Sequence, residues 1–187
     1  DSCIPTVFNS DIQGVFNDVI FNNRVKKFDF SYKKGHYQSK EHNDMIDSDE
    51  LNVDNKHIYT VRVSHNQNTI KYGKPIKSIP DYNQYKVFIS IGTGGLNPWY
   101  DSNCTGTHHA IYNCVDNEQQ AKNLTNILKL KFYQFIIDVT QWSGFNTNTV
   151  VYNLPSIDLN QEWTNESLYK YLKLSDSQIS IIESYYV

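Results

Sequence analysis

The chain has 187 residues, enough for one domain with a proper core or one domain with an extension, and this length argues against two full domains. A hydrophobic fraction of 39% is modest, but 14 Tyr, 9 Phe and 3 Trp supply large side chains to bury, so a folded protein is expected. The formal charge of −3 argues against a non-specific polyanion binder.

No stretch reaches the roughly 18 apolar residues of a membrane span, and the N-terminus DSCIPTVFNSD lacks the basic-then-apolar design of a signal peptide. The expectation is a cytoplasmic chain with no membrane partner. Because it starts at Asp1 rather than Met, it reads as a fragment or a processed product, with any missing motifs expected upstream. Cys3, Cys104 and Cys114 form an odd set, too sparse for a disulfide framework, and are expected as free thiols.

In chain order, Ile12, Val15, Phe16, Val19 and Ile20 follow helical spacing and predict a helix over 11–21, with Ser10 and Gln13 as a capping box. Next, KKFDFSYKKGHYQ alternates, placing Phe28, Phe30 and Tyr32 on one face of a predicted strand. The polar segment from Glu41 to Asn55 reads as a mobile loop. In HIYTVRVSH, Ile58, Thr60, Arg62 and Ser64 alternate with Tyr59, Val61 and Val63. This run, the turn-rich stretch that follows it and the apolar KVFISIG are read as β elements, ending in the glycine turn Gly92-Thr-Gly-Gly95.

A further extended run, HHAIYNCV, leads to Asp116 as the expected N-cap of one long helix over 117–139. Its apolar face is Ala121, Leu124, Ile127, Leu128, Phe132, Phe135, Ile136 and Val139. Near the end, Thr164 and Ser175 each sit between hydrophobic N′ and N4 residues, and Gln178 completes a capping box with Ser175, predicting two short helices. The fold class follows as α+β: a mixed or antiparallel sheet from 28 to 115 packed on one long helix, with a short helical C-terminal tail. The expected divisions are an N-terminal helical segment 1–25, an α+β recognition domain 26–154 and its helical tail 155–187.

Charge is unevenly distributed. Six basic residues against Asp29 run from Arg24 to Lys40, six acids without a base from Glu41 to Asp54, and six bases against Asp81 from Lys56 to Lys86. Arg24, Lys26, Lys27, Lys33, Lys34, Arg62, Lys71, Lys74 and Lys77 suit phosphates, while Asn97, Trp99, Tyr100, Asn103, Thr107 and His108 on turns suit base edges or stacking. The bland reading of each basic residue is a solvated face.

Other chemistries are less well supported. Asn97-Pro98-Trp99-Tyr100 resembles the amine-gripping tetrad of amino-methyltransferases, but Trp99 replaces its second proline and the glycine turn abuts it without an intervening βαβ unit. Asp81 with Lys86 lacks the second acid that a nuclease metal site needs. Cys104, His108, His109 and Cys114 are all zinc-ligand types, yet adjacent histidines on an extended segment face opposite ways. The same residues lack the glycine spacing of a nucleophile elbow.

From about Tyr85 onward, the order of KVFISIG, Gly106-Thr-His-His-Ala-Ile-Tyr112, the NEQQAKNLTNILKLKFYQFII helix, Gln141-Trp142 and Asn153-Leu-Pro-Ser-Ile-Asp-Leu159 is distinctive. The ending, Glu162-Trp-Thr-Asn-Glu-Ser-Leu-Tyr169 and Leu174-Ser-Asp-Ser-Gln-Ile-Ser-Ile-Ile-Glu183, is the most specific part together with the preceding piece. This order resembles the C-terminal target-recognition region of adenine-specific DNA methyltransferases of restriction-modification systems, including methyltransferase-nuclease fusions. Residues 1–84 match only in general character.

The resemblance implies a non-catalytic DNA-binding region whose partners are double-stranded DNA and the catalytic domain of the same parent polypeptide. No cofactor is expected in this chain, S-adenosylmethionine belonging to that catalytic domain. One departure is Asn165 where the family's WTDEELY-like ending carries an acid. The alternatives kept open are a stand-alone metal-dependent nuclease and a protein-interaction domain with no DNA role.

Overall fold

A computed structural model describes residues 9–31, 56–64, 67–73, 83–90, 96–102, 104–105, 110–141 and 148–186. Helix α1 (Ser10–Val15) runs into a π-helical stretch (Phe16–Ile20). The strands are β1 (Lys56–Ser64), β2 (Gln67–Gly73), β3 (Tyr85–Ser90), β4 (Trp99–Asp101), β5 (Cys104–Thr105) and β6 (Ala110–Val115). Helices α2 (Glu118–Ile127), α3 (Lys131–Thr140), α4 (Asn148–Tyr152), α5 (Asn165–Leu172) and α6 (Asp176–Ser184) follow. The class is α+β.

The described strands make two three-stranded sheets rather than one. In the first, β3 lies between β4 and β6 and pairs antiparallel with both. Every residue of β3 from Lys86 to Ser90 is buried, and its central Val87-Phe88-Ile89 is apolar without alternation. Val87, Ile89 and Ile111 join the main core from one face. Across the other, Phe88 stands opposite both Trp99 and Tyr112, stacking on Trp99 at 5.4 Å and 18° and meeting Tyr112 at 5.9 Å. The second sheet, in the order β2-β1-β5, is mixed: β1 is antiparallel to β2 and parallel to β5.

Where one long helix was expected over 117–139, α2 and α3 are separated at Leu128–Leu130. All eight residues of the predicted apolar face are nevertheless buried. The break is local: Leu130 takes an extended backbone, and the α3 amide of Lys131 donates to Asn165 Oδ1 at 2.9 Å. Thus α5, distant in sequence, caps α3. Gln134 then joins the broken ends to the loop before β4, its Nε2 donating to Leu128 O and Leu96 O, each at 2.8 Å. The N-cap of α2 is Asn117, which accepts from Gln120 N, rather than Asp116.

At the start of the chain the N-cap is Asn9, whose Oδ1 accepts from the amides of Asp11 and Ile12 at 2.9 Å, in place of the expected Ser10. Ile12, Val15, Phe16, Val19 and Ile20 are all buried, as their spacing predicts. The helix widens at its end, with Phe21 N bonding Phe16 O, and its last carbonyls are met by side chains: Asn22 Nδ2 on Asp18 O and Lys27 Nζ on Val19 O. It lies against α6, where Gln178 Nε2 donates to Asp18 Oδ2 at 2.9 Å. A Cβ on Gly14 would approach that same Nε2 to 3.1 Å, so glycine permits the close approach.

The expected strand after this helix is absent over its described part, residues 26–31. Two isolated bridges replace it, Lys27 with Pro155 and Ser31 with Tyr112, and Phe28 and Phe30 are buried all the same. Tyr133, fully buried between Phe28 and Phe132, donates from its hydroxyl to Pro155 O at 2.8 Å. The NLPSIDL stretch is therefore clamped between the N-terminal segment and α3, while Asn123 Nδ2 on Leu159 O ties its end to α2. One core cluster extends from Ile12 to Ile182, and the N-terminal helix, the first sheet and the tail all contribute to it.

Helix α4 was not foreseen. Both tail helices have capping boxes, that of α5 closed by Ser167 and that of α6 by Gln178. Tyr169 Oη donates to Glu183 at 2.7 Å, and the same carboxylate accepts from Lys131 Nζ, joining α5, α6 and α3. The Lys131 ammonium and the Tyr169 hydroxyl hold Glu183 below the usual carboxylate range.

Candidate nucleic-acid interface

The sixteen described residues of β1 and β2 carry Lys56, Arg62 and Lys71 and no acid, in a chain whose net charge is −3. Their register is Ile58↔Tyr72, Thr60↔Lys71, Val61↔Ile70, Arg62↔Thr69, Val63↔Asn68 and Ser64↔Gln67, with a shift between Ile58 and Thr60 that leaves Tyr59 unpaired. Cross-strand partners share a face and successive residues alternate. Thr60, Arg62, Ser64, Gln67, Thr69 and Lys71 therefore occupy one face. The bulge resets the parity, placing Ile58 with Val61, Val63, Ile70 and Tyr72 on the other, where simple alternation had grouped it with Arg62.

Of the remaining expected phosphate contacts, Arg24 and Lys26 are exposed on the segment that bridges to 154–156. Lys27 is committed elsewhere. Its ammonium caps the first helix at 2.6 Å from Val19 O, and burial lowers its pKa to about 8. Lys33, Lys34, Lys74 and Lys77, like Asn103, Thr107 and His108 among the base-contact candidates, lie outside the described residues.

Asn97, Trp99 and Tyr100 are brought together where the chain enters β4, but largely as packing. Pro98 is buried, and one face of the Trp99 indole is covered by Phe88. Trp99 Nε1 is buried with no hydrogen-bond partner among the described residues. Tyr100 Oη donates to Glu118 Oε1 at 3.3 Å, and Glu118 also pairs with Lys122 at 2.9 Å. The Lys122 ammonium, followed by Tyr100, keeps the Glu118 carboxyl below its ordinary range. Tyr100 thus fastens β4 to the start of α2. The positioning roles of Glu118 and Gln134 left no mark in the periodicity, both occupying ordinary polar helix positions.

The second acid sought beside Lys86 comes from another strand: Asp101 is its partner in β4. Lys86 is only 1% exposed and its Nζ donates to Gln84 O at 3.2 Å, which removes it from contact with a duplex substrate. Cys114 is an exposed thiol outside any disulfide, beside an open hollow lined by Asn83, Gln84, Tyr85, Val115 and Asp116. Asp81, His108, His109 and Gly92–Gly95 fall outside the described residues, as do the side-chain positions needed to bring Cys104 to a metal. Among the described residues there is no group of three or more potential metal ligands, and no helix is long and apolar enough to cross a membrane.

Comparisons with protein-family models, with curated proteins and with solved structures return no match to this chain.

Proposed function

We propose that the chain is the target-sequence recognition region of a restriction-modification adenine-specific DNA methyltransferase. It is non-catalytic in itself, its partner is double-stranded DNA, and S-adenosylmethionine is held by a catalytic domain of the same parent polypeptide. The observation that carries this reading is the run from Tyr85 to Glu183, whose motif order resembles that family. Three of its described parts have structural roles in the fold. KVFIS is the central strand, NLPSIDL docks on α2 and α3, and the two capped segments close the core. The acid-free sequence of β1 and β2, with Lys56, Arg62 and Lys71, supports it by carrying the positive charge that phosphate contact requires.

Titration of the full 187-residue chain tests the reading. It binds mixed-sequence duplex DNA with an affinity that falls steeply with salt, and S-adenosylmethionine shows no saturable micromolar binding by calorimetry. Saturable cofactor binding, or no duplex binding at low salt, overturns it. The exposed rings of Phe21, Tyr152, Tyr171, Tyr185 and Tyr186 favour a second reading, a protein-interaction domain with no DNA role, and the second of those outcomes would put it first.

A further inference from the structure

Between α2 and α3 the chain bends where its sequence favours a helix. The hinge Leu128-Lys129-Leu130 contains neither glycine nor proline, and leucine and lysine are good helix formers. The apolar positions from Ala121 to Val139 keep helical spacing straight through it, and all of them are buried. Leu128 is still helical, with φ −66 and ψ −14, and Leu130 departs, with ψ 147. Lys129 is exposed, which puts the hinge at the surface.

We propose that this hinge straightens in a domain-swapped dimer of the chain. Residues 118–140 then form one helix about 34 Å long at 1.5 Å per residue. The part from Lys131 onward packs on the first part of a second copy. The dimer is independent of the DNA reading.

Packing selects a second copy as the partner. The parts before and after the hinge share the core: Phe28 N donates to Leu154 O at 3.1 Å, Ser156 N to Lys26 O at 2.8 Å and Gln178 Nε2 to Asp18 Oδ2 at 2.9 Å. The Phe28 and Tyr133 rings lie 6.3 Å apart. Straightening within one chain would separate these surfaces and uncover Phe132, Phe135 and Ile136, a loss that a few helical hydrogen bonds do not offset. Another copy of the chain presents the same surfaces, so each contact is remade between chains and only the hinge changes.

Hinge chemistry shows what holds the closed form. In a continuous helix the Lys131 amide would donate to Ile127 O; in the bend it donates to Asn165 Oδ1 at 2.9 Å. Asn165 therefore stabilises the bent hinge and has no such part in the straight one. Gln134 Nε2 likewise takes Leu128 O, the acceptor that a continuous helix assigns to the Phe132 amide.

The test holds the full chain at millimolar concentration at the foot of its thermal transition, because exchanging parts requires transient opening, then cools it and separates species by size. A dimer that reverts slowly on dilution is expected. In dimers formed from mixed isotope-labelled and unlabelled chains, filtered nuclear Overhauser spectra should show Phe28 of one copy against Tyr133 of the other. Asn165→Ala should raise the association constant roughly tenfold or more, since each of the two hinges loses a cap used only by the monomer. Lys131→Pro should abolish the dimer: proline suits the first position of α3 after the extended Leu130 but clashes with the preceding turn of a continuous helix. Lys131→Ala, which keeps the amide, should retain it. A wild-type chain that stays monomeric overturns the proposal. So does a dimer without the Phe28–Tyr133 contact between copies, which marks association through outer surfaces, or one that persists in Lys131→Pro. The wild-type measurements need no variant and decide the matter if a variant fails to fold.

Discussion

Strands β3 and β1 each sit at the centre of a three-stranded sheet, with opposite sequence logic. In β3 the residues Lys86-Val-Phe-Ile-Ser90 are buried on both faces, and even the lysine is enclosed. In β1 the run Thr60-Val-Arg-Val-Ser64 alternates strictly, so one face of the ribbon keeps polar and cationic residues in a row. The continuous run marks a strand that holds the molecule together; the alternating one marks a strand whose two faces differ in chemistry. Changes near the first sheet should therefore register in stability, and changes on the ribbon face in binding.

The largest stability effect belongs to the core behind β3. Phe132→Ala empties a fully buried site in α3 and should cost about 3 to 5 kcal/mol in urea melts. The exposed Lys129→Ala, three residues away, should cost under about 0.5 kcal/mol. Comparable effects would break the assignment of that face to the core.

Capping changes come next. Asn165→Ala removes the acceptor that caps α3 from α5 and should cost about 1 kcal/mol, whereas Asn165→Asp keeps the acceptor and should be nearly neutral. Lys173, at the end of α5, has φ 57 and ψ 40, a left-handed conformation that favours glycine, so Lys173→Gly should stabilise by up to about 1 kcal/mol. Thermal melts of the three variants give the order.

The pH dependence should be smaller. Below pH 8 Lys27 is protonated in both states, and the fold bears the full penalty of enclosing an ammonium. Between about 8 and 10.5 the folded chain loses this proton while the unfolded chain keeps it, so stability rises across that window. Above pH 10 the raised pKa of Tyr169, caused first by burial and then by Glu183, works in the opposite sense, because the unfolded chain ionises first. Lys27→Met should flatten the rise between 8 and 10 in denaturant midpoints.

The smallest stability effect, and the sharpest test of the contrast, is on the basic stretches. Replacing Lys33, Lys34, Lys71 and Lys74 with Ala should leave melting within about 0.5 kcal/mol of wild type. The slope of log K against log salt should become shallower by about 0.9 for each phosphate that is no longer neutralised. An unchanged slope and affinity would reduce these residues to solvated faces.

The sequence by itself determined the α+β class, the positions of β1, β3 and β6, the complete apolar face from Ala121 to Val139, and both tail caps, because side-chain period and cap chemistry act over a few residues. The basic and polar character of the candidate interface was legible in the same way, from residue types. Only the tertiary structure decided that α2 and α3 are two helices, since the acceptor at the break comes from Asn165, 34 residues away. It likewise turned Phe28 and Phe30 into core residues without a strand, through contacts to Tyr133 and 154–155, and withdrew Lys27 from phosphate candidates onto a helix end. The face of Ile58 also depended on it, because a bulge is a property of two paired strands and a one-residue shift in their register reverses every face assignment beyond it.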